Sequence, residues 1–293
     1  MRSLNAENPV ASPERERRPG GARLLCTVRG CGGELAREGE RYRCPKGHAF
    51  DVARSGYLNL LLVQDRKSSD PGDSKEAVAA RRRLQDAGFG APLLGALVQS
   101  VAETAPPSGS AVLDVGCGEG TFLAAIAERF SLAGVGVDIS TNAIEAAAKR
   151  HAAVEWVVAN ADRGLPFADG SFRLVLTIAG RRHATEFRRV LEPGGRLVAA
   201  IPAEDDLVEL REALHGNAII VDRFGPLLKA LEGTFRLEKR RVLRHRTRLE
   251  TASILDLLAS TYRGGRDSQR EAIAKLASME VTSSWTLATF RTV

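Results

Sequence analysis

The fold is decided by the stretch Leu113-Asp114-Val115-Gly116-Cys117-Gly118-Glu119-Gly120, in which an apolar run meets a carboxylate and then three glycines. The apolar residues predict a buried strand, and residues 121–130 after them predict a helix. Glycines at such a turn let the backbone approach a ligand without a Cβ clash. The carboxylates of Asp114 and Glu119 disfavour a pyrophosphate here and favour a ligand that carries an ammonium and a sulfonium group.

Outward from this turn, short apolar runs alternate with helical patterns. Such alternation predicts an α/β fold with a parallel sheet covered by helices on both faces. Two alternating runs, 235–249 and 284–292, predict a hairpin at the sheet edge with helices between its strands. The predicted strands are 111–117, 135–139, 155–159, 172–178 and 196–201, and the predicted helices are 75–86, 91–104, 121–130, 141–150 and 184–191.

Two more acidic motifs follow the next predicted strands. Asp138 lies 24 residues after Asp114, where a carboxylate can bind both hydroxyls of a ribose. Asn160-Ala161-Asp162 ends the third strand, where a carboxylate or an amide can bind an adenine edge. A further motif, Leu191-Glu-Pro-Gly-Gly-Arg-Leu197, precedes the fifth strand.

Together, these motifs resemble the class I S-adenosylmethionine-dependent methyltransferases over residues 90–293. The resemblance implies a Rossmann-like, seven-stranded sheet whose last strand is antiparallel. It places the three glycines at the methionine part of S-adenosylmethionine, Asp138 at the ribose and Asp162 at the adenine. A Rossmann-like domain without this cofactor is the open alternative. The expected cofactor-binding residues are Asp114, Gly116, Gly118, Gly120, Thr121, Phe122, Leu123, Asp138, Ala161 and Asp162.

Three of the four cysteines cluster near the start of the chain, followed by a histidine. Cys26 and Cys31 form one pair, and Cys44 and His48 form a second pair around a Pro-Lys-Gly turn. Four soft nitrogen and sulfur ligands suit a tetrahedral Zn²⁺, and a module of this size needs a bound metal or a similar cross-link to fold. The alternative is three buried apolar cysteines and a core histidine.

The segments after the cysteines carry a narrower resemblance. Gly56-Tyr-Leu-Asn-Leu-Leu61, Asp70-Pro-Gly-Asp-Ser74 and Asp86-Ala-Gly88 follow the zinc pattern in order. This arrangement resembles the bacterial 23S rRNA guanine-N1 methyltransferases over residues 24–293. The resemblance implies a zinc module before the methyltransferase domain and methylation of a guanine in a 23S rRNA hairpin, an activity that in some members confers macrolide resistance.

The chain departs from that family's pattern at four places. Cys26 and Cys31 are separated by four residues, where Cys-x2-Cys is usual. Gly90 stands where a tyrosine near the cofactor is usual, and Asp206 stands where a histidine near the cofactor is usual. The family's aromatic-Ala-Pro segment, which faces the target base, is here Ile178-Ala-Gly-Arg-Arg182. The catalytic base is left unassigned. The changed segment keeps two alternatives open, which are a small-molecule methyltransferase and a non-catalytic RNA-binding protein that retains the cofactor.

Positive charge is concentrated in the first third of the chain. Residues 1–90 hold 17 Lys and Arg against 12 Asp and Glu, within a net charge of +6 for all 293 residues. The predicted organisation is a disordered basic tail (1–20), a zinc-binding RNA-recognition module (21–63), a linker with a basic helix (64–90) and the methyltransferase domain (91–293). We expect a cytoplasmic protein without a membrane segment, and a homodimer stays open. The expected phosphate contacts are Arg41, Arg43, Lys46, Arg54, Arg66, Lys67 and Arg81–Arg83, and Tyr42 and Tyr57 are available for stacking on bases. A second basic run at residues 239–248 suits either RNA or a charge-protected edge strand.

Overall fold

A computed structural model describes residues 22–66, 68, 71–216, 220–261 and 267–293. The predicted tail and Lys67 lie outside the described residues. Within them, one sheet of eight strands and one of three strands form. The strands are β1 (Ala36–Glu38), β2 (Arg41–Arg43), β3 (Ala49–Asp51), β4 (Leu58–Asn59), β5 (Ala111–Val115), β6 (Ala133–Asp138), β7 (Glu155–Val158), β8 (Phe172–Ile178), β9 (Leu191–Pro202), β10 (Phe235–Glu250) and β11 (Ser278–Thr292).

The large sheet has the strand order β10-β11-β9-β8-β5-β6-β7-β4. Strands β5 to β9 run parallel to one another, and β11 is antiparallel to both β9 and β10. The order reverses between β5 and β8, which is the switch point where ligands bind in open α/β sheets. The seven strands β5 to β11 confirm the predicted Rossmann-like sheet with its antiparallel closing strand.

The eighth strand comes from the N-terminal segment and was absent from the prediction. Strand β4 pairs in parallel with β7, with Leu58 opposite Val157 and Asn59 opposite Val158. The Leu60 amide continues this ladder by donating to the Val158 carbonyl at 2.9 Å. The predicted boundary at residue 63 stays a prediction, and the chain is already part of the sheet edge by residue 58.

The helices follow the predicted pattern closely. Ser74 caps α1 by accepting from the Ala77 amide at 3.2 Å, and Ser140 caps α4 by accepting from the Ala143 amide at 3.2 Å. No helix among the described residues is long and apolar enough to cross a bilayer. The helices are α1 (Lys75–Asp86), α2 (Ala91–Thr104), α3 (Thr121–Phe130), α4 (Thr141–Arg150), α5 (Ala184–Val190), α6 (Val208–His215), α7 (Phe224–Leu231), α8 (Thr251–Thr261) and α9 (Asp267–Ala274), with 3₁₀ turns at Val63–Asp65 and Ala161–Arg163.

Two strands begin five or more residues before the predicted position. Strand β9 begins at Leu191 instead of Arg196, because Phe172 pairs with Leu191 while Leu174 pairs with Arg196. The residues between them form a bulge that absorbs the Pro-Gly-Gly segment within the strand. Strand β11 begins at Ser278 instead of Ser284, because β10 pairs along its whole length down to Glu250 opposite Ser278.

Apolar residues fill both faces of the large sheet. One face packs Phe167, Phe172 and Phe187, each at most 1% exposed. The other face packs Leu123, Ile126 and Ile144 from α3 and α4. The small sheet β1-β2-β3 joins the first face through Leu24, Leu35 and Phe50. This two-sided burial holds the carboxyl ends of the parallel strands in fixed register, where the candidate site lies.

Candidate functional site

A cavity of about 750 Å³ opens at the carboxyl ends of the parallel strands. It extends along the sheet order from β7 and β6, past β5, to β8, β9 and β11. We call the part lined from β5, β6 and β7 the cofactor half and the part lined from β8, β9 and β11 the target half. Residues of α1, of the loop before it and of α8 line the cavity as well.

The glycine turn and Asp138 form the centre of the cofactor half. Gly116 and Gly118 have φ of 82° and 57°, and both line the cavity. Asp138 accepts from the Gly118 amide at 2.9 Å and from the Ser140 amide at 2.8 Å. Burial raises the pKa of Asp138, and these two amide donors oppose the rise. The carboxylate is therefore held rigidly at the end of β6, where it can bind the two hydroxyls of a ribose.

Asp114 is a buried carboxyl group whose Oδ1 lacks a hydrogen-bond partner among the described residues. Its side chain is 2% exposed, and burial together with the charge of Asp138 raises its pKa to about 8. A buried polar atom without a partner is costly, so the site favours a ligand that donates to it. An ammonium group fits this requirement, and the residues present therefore suit S-adenosylmethionine.

The third acidic motif closes the cofactor half. Asn160 accepts from the Asp162 amide at 3.0 Å and donates through Nδ2 to the Asp65 carbonyl at 3.1 Å. The Asp162 carboxylate lies 3.1 Å from Arg181 Nη2. Ala161 and Asp162 both line the cavity, as the adenine assignment requires.

Seven of the ten expected cofactor-binding residues line the cavity, and three do not. Gly120 packs against Trp156, and a Cβ on Gly120 would lie 2.2 Å from the indole ring. Leu123 points into the buried core on the α3 face, and the Thr121 hydroxyl donates to Glu119 Oε2 at 2.7 Å. The third glycine is thus required by packing within the sheet, as its φ of 83° and the close Trp156 ring show.

Sequence reasoning missed the role of Arg81, which it assigned to RNA phosphates. Arg81 lines the cavity, donates to Asp73 at 2.6 Å and donates to the Ser260 carbonyl at 3.1 Å. Arg83 donates to Asp256 of α8 at 2.9 Å, while the side chains of Arg82 and Arg83 stay 50% and 61% exposed.

The target half carries the segment that differs from the family's pattern. Ile178, Ala179, Gly180 and Arg181 line it, together with Pro202, Asp206 and Trp285. Gly180 has no room for a side chain, because a Cβ would lie 2.5 Å from Thr177 Oγ1 and 2.7 Å from the Val115 carbonyl. Trp285 pairs with Pro202 across β11 and β9. The aromatic side chain of this half thus comes from the closing strand and not from the loop after β8.

The predicted zinc ligands meet in one cluster. The ligand atoms of Cys26, Cys31, Cys44 and His48 all lie within 4.8 Å of one another. Cys31 Sγ is 3.7 Å from Cys44 Sγ, and His48 Nδ1 is 3.3 Å from Cys44 Sγ and 3.5 Å from Cys26 Sγ. Tetrahedral Zn–S bonds of about 2.3 Å place two sulfurs about 3.8 Å apart, so the separations fit Zn²⁺. The wide Cys-x4-Cys spacing does not prevent closure, because the Cys26 amide donates to the Gly33 carbonyl and closes the knuckle.

The basic run on β10 is largely neutralised by carboxylates of the same chain. Lys239 and Arg241 both contact Glu103, at 2.8 and 2.7 Å, and Arg244 contacts Asp205 at 2.6 Å. Arg240 stacks over the Phe224 ring at 4.1 Å. This pairing fits a charge-protected edge strand better than a stripe that binds phosphates.

Comparison with known proteins agrees with this geometry. The model described as "Methyltransferase domain" matches residues 112–195, and the model described as "RlmA, N-terminal", a zinc ribbon, matches residues 26–69. The fold, the cavity and the Cys/His cluster therefore define an S-adenosylmethionine-dependent methyltransferase with a zinc ribbon.

Curated relatives narrow this class. The 23S rRNA (guanine(748)-N(1))-methyltransferase of Streptomyces fradiae is 34% identical over 268 residues, which cover 89% of this chain and 94% of the relative. A Micromonospora griseorubida protein provisionally named a 23S rRNA (guanine-N(1)-)-methyltransferase is 30% identical, over 86% of this chain and 90% of the relative. A similarly named Bacillus subtilis (strain 168) protein is 35% identical, over 61% of this chain and 67% of the relative. The chain belongs to the family of 23S rRNA (guanine-N1)-methyltransferases.

Proposed function

We propose that this protein transfers a methyl group from S-adenosylmethionine to N1 of one guanine in a hairpin of 23S rRNA, in the cytoplasm. The observation that carries the proposal is the single cavity of about 750 Å³ in which a complete cofactor half is continuous with a target half. A cavity of this size is in the range that encloses small ligands. The target guanine has to leave its stack to reach it, as bases do in enzymes that modify them.

Within the cofactor half, each residue has a distinct task. Asp138 binds the ribose hydroxyls, Asp114 accepts from the ammonium group, and Asp162 with Ala161 borders the adenine. Gly116 and Gly118 keep the turn free of side chains, and Phe122 covers its apolar side. When bound, S-adenosylmethionine supplies an electrophilic methyl group on a sulfonium. The protein aligns the target nitrogen with it, which is the main requirement of an in-line displacement.

The zinc ribbon is proposed to hold Zn²⁺ through Cys26, Cys31, Cys44 and His48 and to bind RNA phosphates. Arg54 is exposed, as are about half of Arg41 and two fifths of Arg43, whose side chains are 52% and 41% exposed. The predicted stacking residues Tyr42 and Tyr57 are partly buried against the core and do not line the cavity, and stacking by them stays a prediction. Reversing the charge of Arg54 should weaken RNA binding and lower its salt dependence by about one phosphate contact.

The test is transfer of labelled methyl from S-adenosylmethionine to unmodified 23S rRNA, with the modified nucleotide identified by mass spectrometry. Label in N1-methylguanine at one hairpin supports the proposal. Asp138→Ala is the matched control, since it should lose cofactor affinity and transfer together while the ribbon keeps its zinc. Cofactor binding by the wild-type protein without any label in RNA would overturn the proposal and direct attention to a small-molecule substrate.

A further inference from the structure

We propose that Asp206 is the general base that removes the N1 proton of the target guanine, and that Trp285 is the surface on which this guanine stacks. This inference rests on the proposed function, because it assigns roles in the same transfer reaction. The cofactor-binding residues do not include the group that accepts the proton, and this inference assigns that group.

The position of Asp206 follows from the order of the strands. The cofactor half uses the carboxyl ends of β5, β6 and β7, so the guanine has to enter from the side of β8, β9 and β11. Asp206 lies four residues after the end of β9 and lines the cavity on that side. In this proposal the carboxylate of Asp206 faces the bound guanine.

Each of the other carboxylates that line the described cavity is ion-paired, accepts a hydrogen bond from the chain, or lies in the cofactor half. Asp73 is paired with Arg81 at 2.6 Å, and Asp162 is paired with Arg181 at 3.1 Å. Asp138 is held by two amides, Glu119 accepts from the Thr121 hydroxyl, and Asp114 lies 2% exposed under the glycine turn. Among these groups Asp206 is the one that belongs to the target half.

The backbone around Asp206 is fixed to β11. The Ala203 amide donates to the Ser284 carbonyl at 2.8 Å, and the Leu207 amide donates to the Thr282 carbonyl at 2.8 Å. Asp206 Oδ1 accepts from the Ser284 amide at 2.8 Å. One oxygen is thereby anchored, which orients the carboxyl group for proton transfer through the other oxygen.

The charged groups that face Asp206 are Arg211 of α6, Arg223 before α7, and Asp205, which is paired with Arg244 of β10. Burial has the largest effect and raises the pKa of Asp206 to about 6. The hydrogen bond from the Ser284 amide and the charges of the two arginines lower this pKa. A base with a pKa just below neutral is ionised at working pH and still accepts a proton effectively.

Trp285 is placed to hold the base in reach. It lies on β11 one residue from the Ser284 amide that anchors Asp206, and its Nε1 donates to Ser283 Oγ at 3.1 Å, which fixes the ring. Two non-glycine residues of the target half, Ala179 and Leu207, have φ of 52° and 54°. Strained backbone of this kind concentrates at functional sites.

The proposed step is balanced within the bound components. The guanine N1–H proton passes to the Asp206 carboxylate, and the N1 electron pair forms a bond to the methyl carbon. The bond between sulfur and this carbon breaks, and its electron pair neutralises the sulfonium to a thioether. Asp206 then releases the proton to water.

The experiment measures kcat and KM for unmodified 23S rRNA between pH 5 and 9, together with the dissociation constant of S-adenosylhomocysteine. Wild-type kcat/KM should rise with pH through about 6 and then level off. Asp206→Asn keeps an oxygen for the Ser284 amide and should lower kcat roughly 100-fold or more, with cofactor affinity changed less than about threefold. Asp206→His should have a kcat about tenfold higher than that of Asp206→Asn. The rise of its kcat/KM with pH should move to about 6.5, the ordinary pKa of imidazole.

Two further variants separate a direct role from a structural one. Glu280→Gln is the matched control, because Glu280 is an exposed carboxylate of β11 that pairs with Arg246 at 3.6 Å, and it is neither among the residues lining the cavity nor among the charged groups that face Asp206. It should leave the pH profile unchanged. Trp285→Ala should raise KM for RNA by roughly tenfold, as expected for the loss of one stacked base, while Trp285→Phe should largely preserve it.

The results separate the assignment of Asp206 from the proposed function. A wild-type profile that is flat down to pH 5, or an Asp206→Asn enzyme with normal kcat, overturns the assignment of Asp206 alone. If Asp206→Asn lost cofactor affinity and kcat/KM to the same extent, Asp206 would be a cofactor ligand. This result would also overturn its assignment as the general base. Absence of transfer by the wild-type protein overturns the proposed function itself, which the S-adenosylhomocysteine measurement distinguishes from misfolding.

Discussion

The zinc ribbon and the methyltransferase sheet are stabilised in opposite ways. In the ribbon, strands β1, β2 and β3 have three residues each, and two of its few buried apolar residues are Cys26 and Cys44. In the sheet, strands such as β5, β8 and β9 are buried on both faces by large side chains. A small module cannot bury enough surface to fold alone, whereas a large sheet can. The ribbon therefore depends on a metal, and the sheet depends on packing.

The two regions meet along a seam that is partly backbone and partly ionic. Strand β4 extends the sheet, and the Leu25 amide donates to the Pro166 carbonyl at 2.9 Å. Asp65, 9% exposed, lies 3.4 Å from Arg29 Nη2 of the ribbon and 3.3 Å from Arg163 Nε of the sheet domain. Because Asn160 also donates to the Asp65 carbonyl, the seam reaches the loop that borders the adenine site.

The largest effect is expected from removing zinc. Structural Zn²⁺ contributes about 10–16 kcal/mol to the folding of small zinc modules, so Cys44→Ser or a strong chelator should unfold the ribbon. Strand β5 should keep its hydrogen-exchange protection because its neighbours do not depend on the metal. Cys117→Ser is the control, since Cys117 lies in the glycine turn and should leave zinc content unchanged. Loss of protection in β5 to the same extent would mean that the two regions fold as one unit.

A packing change in the sheet should have the next largest effect. Gly120→Ala would place a Cβ 2.2 Å from the Trp156 ring at a φ of 83°. Overpacking and backbone strain should together lower the free energy of unfolding by about 2–4 kcal/mol. Gly118→Ala is the comparison, because its nearest atom is Arg81 Nη1 at 3.4 Å. Denaturant titration of both variants should show the larger loss at Gly120, and the reverse order would contradict the packing role.

The pH dependence of the sheet domain should report Asp114. Its pKa is raised from 3.8 to about 8, so the folded protein binds more protons than the unfolded chain in this interval. The free energy of unfolding of the cofactor-free protein should therefore fall as pH rises from about 4 to about 8, with a limiting slope of about 1.4 kcal/mol per pH unit.

Asp114→Asn should remove this slope, as measured by urea denaturation at several pH values. Cofactor binding should also tighten as pH rises toward 8, because the ammonium group favours ionised Asp114. An unchanged slope in the variant would show that another buried group dominates.

The smallest effect is expected at the seam. Asp65→Asn removes the charge that Arg29 and Arg163 share, and both arginines are mostly exposed, so the loss should be about 0.5–1 kcal/mol. Asp51→Asn, in the exposed Arg41–Asp51 pair inside the ribbon, is the control and should change stability very little. Salt should reduce the Asp65 effect, and a larger loss that persists at high salt would indicate that the buried Asp65 carboxylate stabilises the seam by other contacts.

Much of the cofactor half could be predicted because its residues are local in sequence. Asp114, Gly116 and Gly118 lie within five residues of one another, Asp138 ends β6, and Asp162 follows β7, and both strands are recognisable from their apolar residues. The zinc ligands could be predicted for the same reason, since each pair is joined by a short turn. The roles of Gly120 and Arg81 could not, because they depend on Trp156 and Ser260, which are distant in the chain.

By itself, the sequence determined seven strands of the large sheet, the glycine turn, the position of the Asp138 carboxylate at the end of a strand, and the Cys/His cluster, because apolar periodicity and ligand spacing act over a few residues. Only the tertiary structure decided the target half. Asp206 and Trp285 are 79 residues apart and meet because β11 inserts between β9 and β10. Pairing between distant strands is fixed by burial of the whole sheet, so the group that faces the substrate is set by packing that no short stretch of the chain encodes.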